Sequence, residues 1–132
     1  MVDGEAVGEI GAGLCLLLGV GRDDNAETAE RLAGRVARLR IFDNADGKFD
    51  RSVLDTGGSL LVVSNFTLLA DTAKGSRPSF SEGAETAQAE LLYESFCATL
   101  RELGLPVETG RFGATMRIEL VNDGPVTIVL DI

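Results

Sequence analysis

The sequence predicts an α+β fold built as one domain, with a mixed or mostly antiparallel sheet. Three observations carry this expectation. β-prone runs open and close the chain, and two long amphipathic helical stretches lie between them. The 132 residues suit a single hydrophobic core. Hydrophobic residues at 45% and charged residues at 25% have the balance of an ordinary globular domain rather than a disordered one.

Residues 5–10 and 14–20 are two β-prone runs separated by Gly11-Ala12-Gly13, a loop of hairpin length and composition. Asp23 and Asp24 offer N-caps to a helix over 26–39, where Ala29, Leu32, Ala33, Val36 and Leu39 recur at helical spacing. Asp46-Gly47 predicts a hairpin turn. The same stretch superficially suggests a calcium loop, but aligning Gly47 with that loop's glycine puts Phe42 at the first ligand position and Val53 at the last. Leu60-Leu61-Val62-Val63 reads as a strand buried on both faces, with Ser64 to Thr67 at its end, and 71–79 reads as a loop. A second helix spans 84–103, with Leu91, Leu92, Phe96 and Leu100 on its apolar stripe, and Gly104 and Pro106 stop it. Alternation over 116–121 and the apolar run 126–132 predict two closing strands joined by the turn Asn122-Asp123-Gly124-Pro125.

Composition narrows the chemistry. The net charge of −9 opposes a broad nucleic-acid surface and any DNA partner, since backbone affinity comes from cations neutralising phosphates. Histidine is absent, which removes the commonest general base, the Ser-His-Asp and Cys-His arrangements and most zinc sites. No metal and no cofactor are expected. The chain shows no leader and no apolar run long enough to span a bilayer, so a cytoplasmic protein without membrane contact is expected. Cys15 and Cys97 lack redox or metal-ligand spacing and read as buried thiols.

Few residues remain that could carry chemistry. Ser64, Asn65 and Thr67 follow an apolar strand, a position that fits either strand-end hydrogen bonding or a reactive cluster. Gly124-Pro125 is compatible with any turn between strands. Lys74-Gly75-Ser76-Arg77 could be a small anion site or a solvated loop. Gly11-Ala12-Gly13 is followed by no helix and is not a dinucleotide fingerprint.

Taken together, several stretches resemble the bacterial and eukaryotic D-aminoacyl-tRNA deacylases. They are Val7-Gly8-Glu9-Ile10-Gly11, Leu61-Val62-Val63-Ser64, Phe66-Thr67-Leu68, Lys74-Gly75 with Arg77-Pro78-Ser79-Phe80, Phe112-Gly113-Ala114 and Asn122-Asp123-Gly124-Pro125-Val126-Thr127. The resemblance implies a barrel-like sheet, a homodimer with active sites at the subunit interface, and hydrolysis of the ester joining a D-amino acid, or glycine, to the tRNA 3′ end. It implies a catalytic set of Ser64, Asn65, Phe66 and Thr67, and a pocket for adenosine and substrate formed by Phe112, Gly113, Ala114, Met116 and Asn122. A cis bond at Gly124-Pro125 would aim two carbonyls into the partner's site, holding the α-amino group and excluding L side chains. With no imidazole to activate it, Thr67 is expected to position rather than attack. The expected chemistry is RNA-assisted, with the terminal ribose 2′-hydroxyl orienting water and backbone N–H groups near Phe66 and Thr67 binding the oxyanion.

Two departures qualify the resemblance. Asn65 stands where the family has glutamine. The family also begins with a further strand, carrying an arginine that supports the Gly-Pro motif, so the first strand is expected to be lacking here. An inactive RNA-end-binding domain of the same fold is therefore the alternative reading.

Overall fold

The computed structural model describes residues 1–132. Its centre is a three-stranded sheet of β1 (Gly13–Leu18), β4 (Ser59–Ser64) and β5 (Val107–Thr109), in the order β1-β4-β5. Both pairings are parallel, with Leu14 opposite Leu60 and Leu60 opposite Val107. The expected hairpin between 5–10 and 14–20 does not form. Ala12 O instead accepts from Ser59 N at 3.1 Å, which ties the glycine-rich loop to β4, and residues 1–10 form no strand, Val2 and Glu5 making an isolated bridge. Parallel neighbours need long crossovers. The segments 19–58 and 65–106 supply them, each containing a helix.

α1 (Ala26–Arg38) begins at Asn25, not at Asp23 or Asp24. Asn25 Oδ1 accepts from Thr28 N at 3.0 Å and Thr28 Oγ1 accepts from Asn25 N at 2.9 Å, so two otherwise orphaned donors are satisfied reciprocally. Asp24 serves the preceding turn, accepting from Gly21 N at 2.7 Å. The Asp46-Gly47 hairpin forms as expected between β2 (Phe42–Asp43) and β3 (Phe49–Arg51). A short helix that the sequence did not suggest, α2 (Val53–Thr56), follows, capped by Ser52 and placing Val53 in the core.

α3 (Thr86–Glu102) packs against α1, and both helices lean on one face of the sheet. Phe96, Leu100, Leu60, Val62, Ala33 and Ala37 form the centre of the core. The two-residue period of β4 sends Leu60 and Val62 into this layer. Leu61 and Val63 face the other way, where a Cβ built on Gly8 or Gly110 would lie 3.4 and 3.7 Å from their side chains. Cys97 is buried and Cys15 is half-buried, and burial pushes both thiols up in pKa, toward inertness.

The closing strands expected over 116–121 and 126–132 are absent as strands. The alternation there is real, but a strand also needs a neighbour to take its N–H and C=O groups. Residues 117 to 132 have no ladder partner, and their sole backbone link to a distant segment joins Arg117 to Met1, with Arg117 N donating to Met1 O at 2.9 Å. The central sheet is thus open, with β1 and β5 at its edges. No helix is long and apolar enough to cross a membrane.

Candidate active site

Parallel strands bring their carboxyl ends to the same side, and ligands of open parallel sheets bind there. In this chain the ends of β1 and β4 open into a cleft of about 690 Å³. Leu18 and Val20 form one wall, and Val63, Ser64, Asn65 and Phe66 form another. Phe112, Gly113, Ala114, Met116 and Ile118 arrive after β5, while Phe80, Ala84 and Thr86 close the side toward α3. None of the lining residues is charged, in a chain with 21 acidic side chains. An anionic ligand entering this cleft meets no like charge on its walls.

Local hydrogen bonding shapes the turn after β4. Asn65 N donates to Leu18 O at 2.8 Å, which extends the β1–β4 pairing by one residue. Asn65 then caps the 3-10 turn Phe66–Leu69, its Oδ1 accepting from Thr67 N at 3.3 Å and from the Thr67 hydroxyl. The Thr67 proton is thereby committed to a neighbouring amide. The cap takes the Thr67 N–H and leaves the Phe66 N–H to other acceptors. Phe66 meets Phe80 edge to face with ring centroids 5.0 Å apart.

The opposite wall is held from beneath. The hydroxyl of Tyr93, a residue 6% exposed on α3, donates to Val62 O at 2.7 Å, and its ring lies 5.8 Å from that of Phe112. Desolvation by burial pushes the Tyr93 hydroxyl up to about 12, so it remains a donor at any physiological pH. Arg111 N donates to Met116 Sδ at 3.4 Å, which folds residues 111–116 into a compact turn.

Of the residues predicted from sequence, Ser64, Asn65, Phe66, Phe112, Gly113, Ala114 and Met116 line one cleft, although they come from two distant stretches of chain. Thr67 lies one residue outside the lining and is exposed. Asn122, Gly124 and Pro125 are not on the cleft of their own chain. Asn122 clamps its own turn, with Oδ1 accepting from Val126 N at 2.8 Å and Nδ2 donating to Thr127 Oγ1 at 3.1 Å. The Gly124–Pro125 bond is cis.

Three contributors escaped sequence reasoning. Phe80 belongs to the stretch Arg77-Pro78-Ser79-Phe80 that carries the resemblance, but no place in the site was expected of it. Tyr93 is the chain's one tyrosine and sits beside the apolar stripe of α3, and a buried hydroxyl there requires a partner. Gly19 allows the 66–69 turn to approach β1, since a Cβ at that position would lie 2.4 Å from Leu69 Cδ2 and 3.1 Å from Leu68 Cβ. No group of three His, Cys, Asp or Glu side chains is placed to hold a metal ion.

Comparison with known proteins identifies the family. Three similar curated relatives are named D-aminoacyl-tRNA deacylase. The protein from Anaeromyxobacter dehalogenans is 57% identical over 98% of this chain and 87% of its own length. The Deinococcus radiodurans protein is 57% identical over 99% of this chain and 90% of its own length. The Escherichia coli O81 protein is 54% identical, with the same coverage of 99% and 90%. Among solved structures, that of a protein named c-Myc DNA Unwinding Element Binding Protein superimposes with a TM-score of 0.90 at 39% identity, covering 97% of this chain and 87% of that one. A second, described as a probable eukaryotic D-amino acid tRNA deacylase, matches with a TM-score of 0.66 at 17% identity over 80% of this chain and 77% of its own, a likeness of fold alone. The D-Tyr-tRNA(Tyr) deacylase family itself matches across residues 1–131, and the chain belongs to that family.

Proposed function

We infer that this chain hydrolyses the ester bond of D-aminoacyl-tRNA, releasing the free D-amino acid and the tRNA. The observation that carries the reading is identity above one half, along nearly the whole chain, to proteins named for that activity. The uncharged cleft supports it, because an RNA 3′ end can enter without repulsion. An acidic chain has little capacity to hold duplex nucleic acid, which disfavours for this chain the DNA binding after which the 39%-identical protein is named.

Within this reading, the terminal adenosine occupies the side of the cleft lined by Phe112, Gly113, Ala114 and Met116, with the Phe112 ring against the adenine. The ester carbonyl sits at the turn after β4, beside Ser64 and Asn65. The Phe66 N–H is the oxyanion donor there, a contribution of about 2.7–4 kcal/mol to the barrier. Thr67 holds the turn through Asn65 and is not the nucleophile. Water attacks, oriented by the ribose 2′-hydroxyl. The acyl–oxygen bond then breaks, and the ribose oxygen leaves with a proton.

Chirality is read by a second copy of the chain. In a homodimer, the Gly124 and Pro125 carbonyls of one subunit reach the other's cleft, accept from the α-amino group, and occupy the space an L side chain would need. Glycine passes the same filter. The barrel-like closure implied by the resemblance would require residues 116–121 and 126–132 to enter ladders, and the apolar surface they expose is what such pairing would cover. The substrate implies a cytoplasmic location.

Purified protein assayed on D- and L-tyrosyl-tRNA tests the reading. Release of tyrosine from the D form alone is expected. Turnover of neither overturns the deacylase reading in favour of an inactive RNA-end-binding domain. Equal turnover of both overturns the carbonyl filter.

A further inference from the structure

The loop that leaves the 66–69 turn closes on itself before it reaches the cleft again. Asp71 N donates to Ser79 O at 2.7 Å and Ser79 N donates to Asp71 O at 2.8 Å, so residues 72–78 form a tip on a fixed base. That base is anchored at the cleft mouth. Asp71 follows the turn that carries Phe66, Ser79 precedes Phe80, and the Phe66 and Phe80 rings are in edge-to-face contact. The tip carries Lys74 and Arg77, both exposed and neither paired with a carboxylate. The nearest acidic residue of the loop, Asp71, is turned inward, its Oδ1 accepting from Ala73 N at 2.9 Å. The next, Glu82, is paired with Arg22. Two uncompensated cations are therefore carried on a loop whose base adjoins a neutral cleft, in a protein of net charge −9.

We propose that Lys74 and Arg77 form a phosphodiester-binding site for the single-stranded RNA that leads into the cleft, holding the backbone just 5′ of the terminal adenosine. This rests on the deacylase reading above and adds the means by which an acidic protein holds its tRNA. A lysine supplies a rotatable point charge and an arginine a planar fork, and both suit phosphate oxygens. The short fixed loop keeps them in register with an adenosine already seated against Phe112.

The test compares two D-tyrosyl esters, one of tRNA and one of adenosine alone, the second having no phosphate. For the double variant Lys74→Ala/Arg77→Ala, the ratio of kcat/KM on the tRNA ester to that on the adenosine ester is expected to fall at least tenfold. The salt dependence on the tRNA ester is expected to flatten by roughly 1.4 in log–log slope, at about 0.7 for each single-strand phosphate released. The charge-preserving variant Lys74→Arg/Arg77→Lys should retain most of the ratio. Arg31→Ala/Arg35→Ala removes the same charge from the exposed side of α1 and should leave the ratio unchanged. An unchanged ratio in the loop variant, or an equal fall in the α1 variant, overturns the proposal. A wild-type protein inert on both esters overturns the deacylase reading, and this site with it.

Discussion

Thr67 shows how a hydrogen bond can assign a role to a side chain. Its hydroxyl donates to Asn65 Oδ1, and the same oxygen accepts the Thr67 N–H, so residue 65 braces the turn through both groups. A nucleophile needs a base to take its proton, and a neutral amide oxygen is not one. Asparagine in place of glutamine suits this bracing role, because the shorter arm caps a turn only two residues away. Thr67→Val keeps the backbone contact and loses only the hydroxyl. It is expected to lower kcat by no more than about a hundredfold, the scale of a small misplacement at the reacting centre. Loss of a true nucleophile costs on the order of 10⁶ in kcat. Single-turnover kinetics on D-tyrosyl-tRNA distinguish the two, and a loss of the larger size would restore Thr67 as the attacking group.

Among the elements, α3 joins core to cleft through Tyr93. The hydroxyl reaches Val62 O in the central strand, and the ring touches Phe112 at the cleft wall. Tyr93→Phe keeps the ring and removes the bond, while Val62 O still accepts from Gly110 N at 3.3 Å, so the expected loss of stability is modest, about 1 kcal/mol. The pH dependence has a definite sign. A phenol raised from 10 to about 12 by desolvation favours the folded state fully below pH 10, where it is protonated in both states. Above that, the unfolded chain ionises first, and the contribution is lost as pH rises toward 12. Urea midpoints of wild type should therefore fall between pH 10 and 12 more steeply than those of Tyr93→Phe; parallel curves would count against the buried phenol. These elements also mark what patterning can reveal. The spacing of Ala33, Val36 and Ala37, or of Leu92, Phe96 and Leu100, declares a helix because the neighbours that matter lie one turn away. The direction of a strand does not show in its own residues. Leu14–Leu18 looks the same whether its partner is residue 10 or residue 60, so the parallel sheet, and with it the position of the cleft at the strand ends, required the fold. The turn residues Ser64 to Phe66 and Phe112 to Met116 were legible as motifs, but their meeting in one cleft was not.

At the scale of the whole molecule, the C-terminal stretch stands apart from the rest. Leu130 packs against the core and Ile132 reaches a small apolar cavity beside α1 and α3, so the stretch is seated on the body of the protein. Its other apolar side chains are not covered. Val121 is 91% exposed and Val129 88%, with Leu120 and Ile128 also open to solvent. An apolar strip beside unpaired backbone groups is costly in water and is a ready template for another chain. The strip flanks Gly124-Pro125, a turn that does not line the cleft of its own chain and that the proposed chirality filter would place in a partner's. In the proposed homodimer a second copy would meet both needs, covering the strip and receiving the turn. The protein is therefore expected to sediment at twice the 13.9 kDa chain mass. A charge placed in the strip should separate the copies, because burying an unpaired carboxylate costs several kcal/mol. Val129→Asp is expected to sediment as a monomer and, losing the partner's carbonyls, to lose turnover of D-tyrosyl-tRNA along with the mass. A wild-type monomer that is fully active, or a Val129→Asp monomer that still discriminates D from L, would place the filter within a single chain.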